Sequence, residues 1–172
     1  MIHIYTGDGK GKTTAGLGLL LRAFGAGFTV SAVFFDKGGD TPYHERKVFE
    51  RLGIPYTVCG LGRMNSDGTF RFSITDADRV EAQRGLVAAR SALQSGVGLL
   101  LLDEVLTSTM TGLIAKADVQ ALVESVPAST ELVMTGRCQD DEILAWADLV
   151  SRVTKVRHYF DRGVKARPGI EF

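Results

Sequence analysis

The chain has 172 residues, and its 20 Lys and Arg side chains are balanced by 20 Asp and Glu side chains. This length is usual for one domain with a buried core, so we expect a single domain over residues 1–172. The even charge excludes a basic surface over the whole molecule, and we expect no nucleic acid partner; any basic patch must be local.

The cysteines and the hydropathy pattern indicate the cellular compartment of the protein. Cys59 and Cys138 are far apart and form no C-x-x-C pair, which argues against a disulfide framework or a structural zinc site. The longest aliphatic run, residues 97–102, is much shorter than the ~18 apolar residues of a membrane span. The first residues also lack a signal peptide's features. We therefore expect a cytoplasmic protein with no membrane partner.

Strands and helices alternate in the first part of the chain. The patterns predict a strand at 2–6, a helix at 12–26, a buried strand at 29–35, a helix opened by Thr41-Pro42 and ended by Gly53, and a strand at 56–59. In the second helix we expect Val48, Phe49 and Leu52 to face inward. Residues 60–73 have turn residues and no clear period, which predicts a loop that is mobile without ligand.

The alternation continues to the end of the chain. Thr75 and Asp78 have the spacing of a capping box, and Ala82, Leu86, Ala89 and Leu93 follow at helical spacing. The later predicted elements are a strand at 97–102, a helix at 116–125, a strand at 131–135, a helix at 140–147 and a strand at 149–156. This order predicts an α/β protein with a mostly parallel, doubly wound sheet and helices on both faces.

The stretch TGDGKGKTT, residues 6–14, lies between the first strand and the first helix. The phosphate-loop pattern G-x-x-x-x-G-K-[ST] would place glycine at position 6, so Thr6 makes this loop a variant. Its glycines would let backbone N–H groups approach phosphate oxygens, with the helix N-terminus pointing at the same anion. A plain Gly-rich turn is the less favoured alternative. The predicted nucleotide-binding residues are Thr6, Gly7, Asp8, Gly9, Lys10, Gly11, Lys12, Thr13 and Thr14.

Two acidic residues, Asp103 and Glu104, follow the aliphatic strand at 97–102. Ligands bind at the carboxyl edge of a doubly wound sheet, so both side chains would lie near the Thr13 hydroxyl. Hydroxyl and carboxylate oxygens suit Mg²⁺, and we predict a metal site formed by Thr13, Asp103 and Glu104. Asp103 capping a turn is the alternative, and Glu104 acting as a general base on water would instead indicate an ATPase.

Basic residues occur at two further places of interest. Arg137 follows the strand at 131–135 and would rise at the same edge, where arginine stabilises a phosphate or a leaving group. A solvated surface arginine explains this position equally well. From residue 151 onward, six basic residues stand against two acidic ones. A nucleic-acid groove, a polyphosphate or carboxylated ligand, and an ordinary solvated face all fit that charge.

Taken as a whole, the chain resembles the ATP:corrinoid adenosyltransferases that act on cob(I)alamin or cob(I)yrinic acid a,c-diamide. The matching stretches are residues 5–27, 34–38, 99–104, 135–137 and 156–172. The variant loop belongs to the resemblance, since the family's loop also reads T-G-x-G-K-G-K-T-T. The tail pattern F-D-x-G-x-K-A-x-x-G-I-E at 160–171 is the more discriminating part, because it is no general nucleotidase signature.

The resemblance implies a RecA-like phosphate-loop fold and transfer of the 5′-deoxyadenosyl group of ATP to the cobalt of a reduced corrinoid, with triphosphate released. It implies that the loop glycines with Lys12 hold the triphosphate, that Mg²⁺ lies at Thr13, Asp103 and Glu104, and that Arg137 adds charge at the phosphates. Lys12, Glu104 and Arg137 are then the catalytic residues. The resemblance further implies a reduced flavin or flavoprotein electron donor and a homodimer, in which the basic tail could cover a neighbour's site.

One segment departs from the family pattern. Many members carry a Gly-Phe-Thr-Trp-like segment near the corrinoid after the third strand, whereas residues 60–64 here read GLGRM. Phe70 and Phe72 are candidates for a replacement hydrophobic wall, with core packing as the alternative for either ring. The corrinoid contacts and the preferred corrinoid stay open at this point.

Three other functions fit part of the sequence. A RecA-like ATPase or DNA-associated motor would use Glu104 to activate water and would release ADP and phosphate. A nucleotide kinase would carry an arginine-rich lid, but residues 60–73 hold only Arg63 and Arg71. A nucleotide-sensing protein without catalysis is the weakest alternative. The adenosyltransferase is favoured because loop and tail match together.

The loop assignment predicts the effect of one substitution. Lys12→Ala should abolish ATP binding and adenosyl transfer while leaving the fold intact, because it removes the charge that faces the phosphates. Calorimetric titration with ATP and a far-UV circular dichroism spectrum measure the two properties. Unchanged turnover in this variant would show that the nucleotide site lies elsewhere.

Overall fold

A computed structural model describes residues 1–39, 43–62, 71 and 73–172 of the chain. Six strands form one sheet in the order β3-β2-β4-β5-β1-β6, and every neighbouring pair is parallel. The strands are β1 (Ile2–Thr6), β2 (Val30–Phe34), β3 (Tyr56–Val58), β4 (Leu99–Asp103), β5 (Glu131–Thr135) and β6 (Leu149–Arg152). Parallel pairing brings all their carboxyl ends to one edge.

Helices connect the strands and cover the sheet. Among the described residues they are α1 (Lys12–Gly25), α2 (His44–Leu52), α3 (Asp76–Gln94), α4 (Val105–Met110), α5 (Lys116–Glu124) and α6 (Asp141–Leu144), with a 3₁₀-helix at Tyr159–Arg162. None of these described helices combines the length and the apolar character needed to cross a bilayer.

The central strand β4 shows how the two layers of the core arise. All five of its residues are buried. Leu99 and Leu101 pack with α1 and α2, whereas Leu100 and Leu102 pack with α3, α4, α5 and α6. Because side chains alternate along a strand, the four consecutive leucines of β4 place aliphatic side chains on both faces of the sheet, and both faces must be covered. The predicted doubly wound α/β class with a RecA-like fold is therefore confirmed.

The helix α1 lies directly over the sheet centre. A Cβ atom at Gly16 would stand only 2.8 Å from Leu101 Cδ1 and 3.2 Å from Thr135 Cγ2, so glycine lets the helix approach the strands closely. This approach fixes the N-terminus of α1, and with it the loop at residues 7–11, beside the carboxyl end of β4.

The predicted capping box of α3 is confirmed. Thr75 Oγ1 accepts from the backbone N–H of Asp78 at 3.3 Å, and Asp78 Oδ2 accepts from the N–H of Thr75 at 2.8 Å. Arg71 donates to both oxygens of the same carboxylate, at 2.7 Å each. The Arg71 guanidinium, with the Thr75 bonds, holds the pKa of Asp78 well below its usual range. The residues before α3 are thus fixed by charge as well as by capping.

Three expectations differ from the structure. Val48 and Leu52 are exposed, at 45% and 42%, because α2 buries only Phe49 against β2 and β3. Helix α4 was not predicted, since VLTSTM is rich in β-branched residues that disfavour helices; burial of Leu106 stabilises it. The last strand ends at Arg152 rather than 156, because the chain then turns across the 7–11 loop. The expected helix start at 41–42 lies outside the described residues.

Truncation of β4 should measure how much the core depends on that strand. Leu101→Ala should lower the free energy of unfolding by about 2–5 kcal/mol, since Leu101 is fully buried under α1. Urea denaturation measures the change. The control Leu21→Ala, at a side chain that is 51% exposed on α1, should stay within about 0.5 kcal/mol of the parent. Equal losses in both variants would contradict this account of the core.

Candidate functional site

A cavity of about 430 Å³ opens at the carboxyl edge of the sheet. Its floor is formed by the start of α1 with Lys12, Thr13 and Thr14, and the Glu104 and Lys37 side chains reach it from β4 and β2. The chain's last residues, Gly169–Phe172, line the opposite wall. We call this the loop cavity.

Two glycines of the 7–11 loop, Gly7 and Gly9, are required by close packing. A Cβ atom at Gly7 would lie 2.2 Å from the carbonyl oxygen of Val153, and one at Gly9 would lie 2.8 Å from the carbonyl carbon of Thr154. The N–H of Gly9 donates to the Val153 carbonyl at 2.9 Å. The sequence analysis assigned these glycines to the approach of backbone N–H groups to phosphate oxygens. The structure adds a second reason why Gly7 and Gly9 must be glycine, since both pack against the segment after β6. Gly11 has φ 126° at the N-cap of α1.

Lys12 is buried at the base of the loop cavity, where its Nζ donates to the Gly9 carbonyl at 2.9 Å. Burial lowers its pKa, the Glu104 carboxylate opposes this shift, and the Arg137 guanidinium adds to it. A buried ammonium that its surroundings do not fully compensate favours an anion. Lys12 therefore lies at the start of α1, at the carboxyl edge of the sheet, and its buried charge favours a bound anion.

Two threonines orient the carboxylates after β4. Thr135 Oγ1 donates to Asp103 Oδ1 at 2.6 Å and accepts from the N–H of Glu104 at 3.0 Å. Thr107 Oγ1 donates to Glu104 Oε2 at 2.5 Å and accepts from the N–H of Arg137 at 2.8 Å. Glu104 has φ 60°, a left-handed conformation that costs a non-glycine residue energy and concentrates at functional sites.

Neither threonine was predicted as a site residue. Thr135 ends the strand at 131–135 and thus lies at the carboxyl edge, which is a signal the sequence does contain. Thr107 lies in the unpredicted helix α4, so nothing in the sequence pattern pointed to it. The two hydroxyls hold Asp103 and Glu104 in fixed orientations beside the loop cavity.

Lys37 is a further site residue that the sequence reasoning missed. Its Nζ forms an ion pair with Asp103 Oδ2 and donates to Thr13 Oγ1 at 3.3 Å. Burial acts to lower the pKa of Lys37, but the Asp103 carboxylate outweighs it, so the pKa lies above its ordinary value. The signal was its position just after the strand at 29–35, the same criterion that identified Asp103 and Arg137.

Lys10 holds the C-terminal segment over the loop cavity. Its Nζ donates to Tyr159 OH and Glu171 Oε1 at 2.6 Å each, and to the Ile170 carbonyl at 2.9 Å. Burial opposes a rise in the pKa of Lys10, whereas the bonds to Glu171 and Tyr159 produce one. The Lys10 ammonium holds the pKa of Glu171 well below its usual range. The tail, considered from sequence as a cover for a neighbour's site, lies over this chain's own cavity.

The tail is anchored a second time at its end. His44 Nδ1 lies 2.8 Å from the main-chain oxygen of Phe172, and the two rings stack with centroids 6.3 Å apart. The segment therefore bridges the cavity from Lys10 to the start of α2.

The other predicted residues are spread around the loop. The Thr6 hydroxyl donates to the Cys138 carbonyl at 3.2 Å and accepts from its N–H at 2.9 Å, which ties β1 to the chain after β5. Asp8 accepts from the N–H of Lys155 at 3.2 Å, a bond that lowers the pKa of Asp8.

Arg137 does not line the loop cavity. It lines a second cavity of about 430 Å³ on the other side of the loop, and Lys12 lines both.

The donor set fits a hard cation bound together with phosphates. Thr13 supplies a hydroxyl, and Asp103 and Glu104 supply carboxylates. The ammonium of Lys37 already lies against Thr13 Oγ1 and Asp103 Oδ2, so the position favours positive charge. No group of three or more His, Cys, Asp or Glu side chains forms a metal site in the described part of the chain. Mg²⁺ that is held by one or two carboxylates and substrate phosphates needs no such group.

The candidates for a corrinoid wall, Phe70 and Phe72, lie outside the described residues, as do Arg63 and Met64 of the GLGRM segment. Gly60 is described, and it packs against Asp36: a Cβ atom there would lie 2.8 Å from the Asp36 Cα.

An α/β fold, a glycine-dependent loop at a helix N-terminus and a buried lysine at the carboxyl edge define a nucleotide-binding protein. Comparison with known proteins identifies the family within this class of nucleotide-binding proteins. The family model described as ATP:corrinoid adenosyltransferase BtuR/CobO/CobP matches residues 1–172.

Several relatives match over the same range. The chain is 36% identical to the corrinoid adenosyltransferase of Escherichia coli (strain K12) and 34% identical to the corrinoid adenosyltransferase CobA of Salmonella typhimurium, in each case over 100% of this chain and 85% of the relative. It is 32% identical to the corrinoid adenosyltransferase of Pseudomonas aeruginosa, over 100% of this chain and 83% of the relative.

The chain belongs to the ATP:corrinoid adenosyltransferase family. Its substrates are ATP and a corrinoid, and it is an enzyme that transfers the adenosyl group between them. The family assignment does not favour the motor-type ATPase, which was the main alternative from sequence.

The contacts of the tail predict its response to one substitution. Glu171→Gln should make the amides of residues 167–171 exchange with solvent several-fold faster, because it removes the charge that binds Lys10 and Arg167. Hydrogen exchange with mass spectrometry measures this. The control Glu50→Gln alters a similar contact with Tyr56 far along the chain and should leave the tail unchanged. Unaltered exchange in Glu171→Gln would show that the Lys10 contact does not hold the segment.

Proposed function

We propose that the loop cavity holds the triphosphate of ATP while the 5′-deoxyadenosyl group passes to the cobalt of cob(I)alamin or cob(I)yrinic acid a,c-diamide. The observation that carries this proposal is the buried Lys12 ammonium at the start of α1, facing a cavity at the carboxyl edge. The N-terminus of α1 adds favourable potential for an anion.

The reaction requires alignment more than acid or base chemistry. Cobalt(I) of the substrate supplies the electron pair for the new Co–C5′ bond, and the C5′–O bond breaks with its electrons going to the departing triphosphate. No proton has to be removed from the nucleophile, so no general base is needed. The protein's part is to orient the 5′ carbon toward cobalt and to stabilise charge on the leaving group.

Lys12 is the residue proposed to stabilise that leaving group, with the glycines and Lys10 of the 6–14 segment forming the rest of the cradle. Arg137 is proposed to add positive charge from the second cavity, which it lines together with Lys12. The shared lining of the two cavities by Lys12 supports a role for Arg137 beside it.

Thr13, Asp103 and Glu104 would hold Mg²⁺. The ion would neutralise phosphate charge and fix the conformation of the triphosphate. Thr135 and Thr107 support this proposal, because their bonds to Asp103 and Glu104 orient both carboxylates. Glu104 then acts as a metal ligand and not as a base toward water.

Several broader features belong to the same proposal. We infer that residues 1–172 act as one domain, since one sheet joins both core layers.

A homodimer is supported by the exposed Leu149 and Val150 on the edge strand β6. Ion pairs of Lys155 with Asp161 and Arg167 with Glu171 partly neutralise the basic tail, which supports the absence of a nucleic acid partner. A reduced flavin or flavoprotein donor and a cytoplasmic location rest on the family resemblance.

The test is an anaerobic assay in which the protein, MgATP and chemically reduced cob(I)alamin are mixed. The corrinoid spectrum is followed and the phosphate product is identified. A light-sensitive organocobalt product with triphosphate supports the proposal. Release of ADP and phosphate with no change at cobalt would overturn it.

The same assay gives a prediction for the metal site. Glu104→Gln should raise the Mg²⁺ concentration needed for half-maximal turnover by about 10- to 100-fold, since one anionic ligand is lost. The control Glu124→Gln, on the exposed side of α5, should keep the parent's dependence on Mg²⁺. A Glu104→Gln variant with the parent's metal dependence would remove Glu104 from the site.

A further inference from the structure

Lys37 is held rigidly at the end of β2 by a close crossing of two loops. The crossing joins residues 36–39 to residues 59–62. A Cβ atom at Gly38 would lie 1.7 Å from the Gly60 carbonyl oxygen, and the N–H of Lys37 donates to the Cys59 carbonyl at 3.1 Å. Arg46 donates to the carbonyl of Lys37 itself at 2.6 Å. The backbone of Lys37 is thus fixed, and its four-carbon side chain is the part that can move.

The side chain places its ammonium between two of the three proposed metal ligands. Nζ pairs with Asp103 Oδ2 and donates to Thr13 Oγ1 at 3.3 Å. Asp103 is fully buried, and the Lys37 side chain is only 12% exposed. The ring of Tyr43 lies 5.3 Å from the same ammonium. A buried carboxylate needs a cation beside it, and Lys37 is that cation in the structure.

We propose that Lys37 occupies the metal position in the nucleotide-free protein and moves to a phosphate oxygen when Mg²⁺ arrives with ATP. The inference rests on the proposed metal site. Two cations cannot share Thr13 Oγ1 and Asp103 Oδ2, because like charges at contact distance repel strongly. Lys37 also lines the loop cavity. Its ammonium therefore has a new anionic partner within the same cavity once the triphosphate is present.

This exchange gives Lys37 two roles. Without nucleotide, it excludes a divalent cation from the site. With nucleotide, it adds a further lysine to the phosphates, in addition to Lys12 and Lys10. The protein would then accept the metal and the triphosphate together, and the metal alone would bind weakly.

The first measurement is Mn²⁺ binding in the absence of nucleotide, followed by electron paramagnetic resonance. Lys37→Gln keeps a donor for Asp103 but removes the charge, and it should bind Mn²⁺ at least about tenfold more tightly than the parent, the effect expected for a unit charge within ~4–6 Å. Lys37→Arg keeps the charge and should bind as weakly as the parent. Circular dichroism and thermal unfolding establish that both variants are folded.

A matched control is Lys116→Gln, which removes a lysine paired with Asp140 and Glu142 at 2.7 Å each, none of which lines the loop cavity. It should not change Mn²⁺ binding, because both carboxylates are at least partly exposed and stay hydrated. Equal gains in Lys116→Gln and Lys37→Gln would overturn the proposal, as would a parent protein that binds Mn²⁺ alone as tightly as Lys37→Gln does.

The second measurement is ATP binding by calorimetry with and without Mg²⁺. The factor by which Mg²⁺ tightens ATP binding should be about tenfold or more smaller in Lys37→Gln than in the parent, because the variant has no ammonium to pass from Asp103 to the phosphates. An unchanged factor would overturn the shift to phosphate. Failure of the proposed function is distinguishable: if Mg²⁺ does not strengthen ATP binding to the parent, the metal site itself is wrong, whatever Lys37 does.

Discussion

The buried carboxylate of Asp103 is the interaction on which the site depends. It lies at the end of the central strand, fully removed from solvent, where an ionised group costs about several kcal/mol in lost hydration. The Lys37 ammonium and the Thr135 hydroxyl offset that cost. These contacts join β2, β4 and β5 at their carboxyl ends, and the reach of Lys37 to Thr13 adds α1. One carboxylate thereby fixes the relative positions of four elements.

The pairing of charged side chains also links the fold to the proposed chemistry. A site that must hold a triphosphate needs excess positive charge, and such charge is unfavourable in an empty pocket. Here Lys37 is paired with Asp103, Lys10 with Glu171, and Lys12 with a main-chain carbonyl. Each lysine has a partner that a phosphate can replace. The charges of the cavity thus fit the proposed triphosphate site without a large unpaired charge.

The C-terminal segment is the second structural feature with functional weight. It leaves the sheet after β6, packs against Gly7 and Gly9, and returns over the loop cavity to His44. Gly7 and Gly9 therefore contact the segment after β6 on one side, while the loop faces the proposed triphosphate site on the other. This double constraint gives a physical reason why the loop and the tail are the parts of the sequence that resemble the family most distinctly.

The sequence by itself determined the fold class and the order of the strands along the chain, and it predicted the candidate site residues. Aliphatic strands such as 99–102 can only be buried on both faces, and residues that follow parallel strands must meet at one edge. This reasoning predicted Lys12, Thr13, Asp103 and Glu104 as residues of the proposed site. Contacts between distant segments were decided by the tertiary structure alone. The pairing of Lys37 with Asp103, the Thr107 bond from an unpredicted helix, and the tail over its own cavity all join residues far apart in the chain. Local periodicity carries no information about such contacts, because it records which face of an element is buried and not which partner covers it.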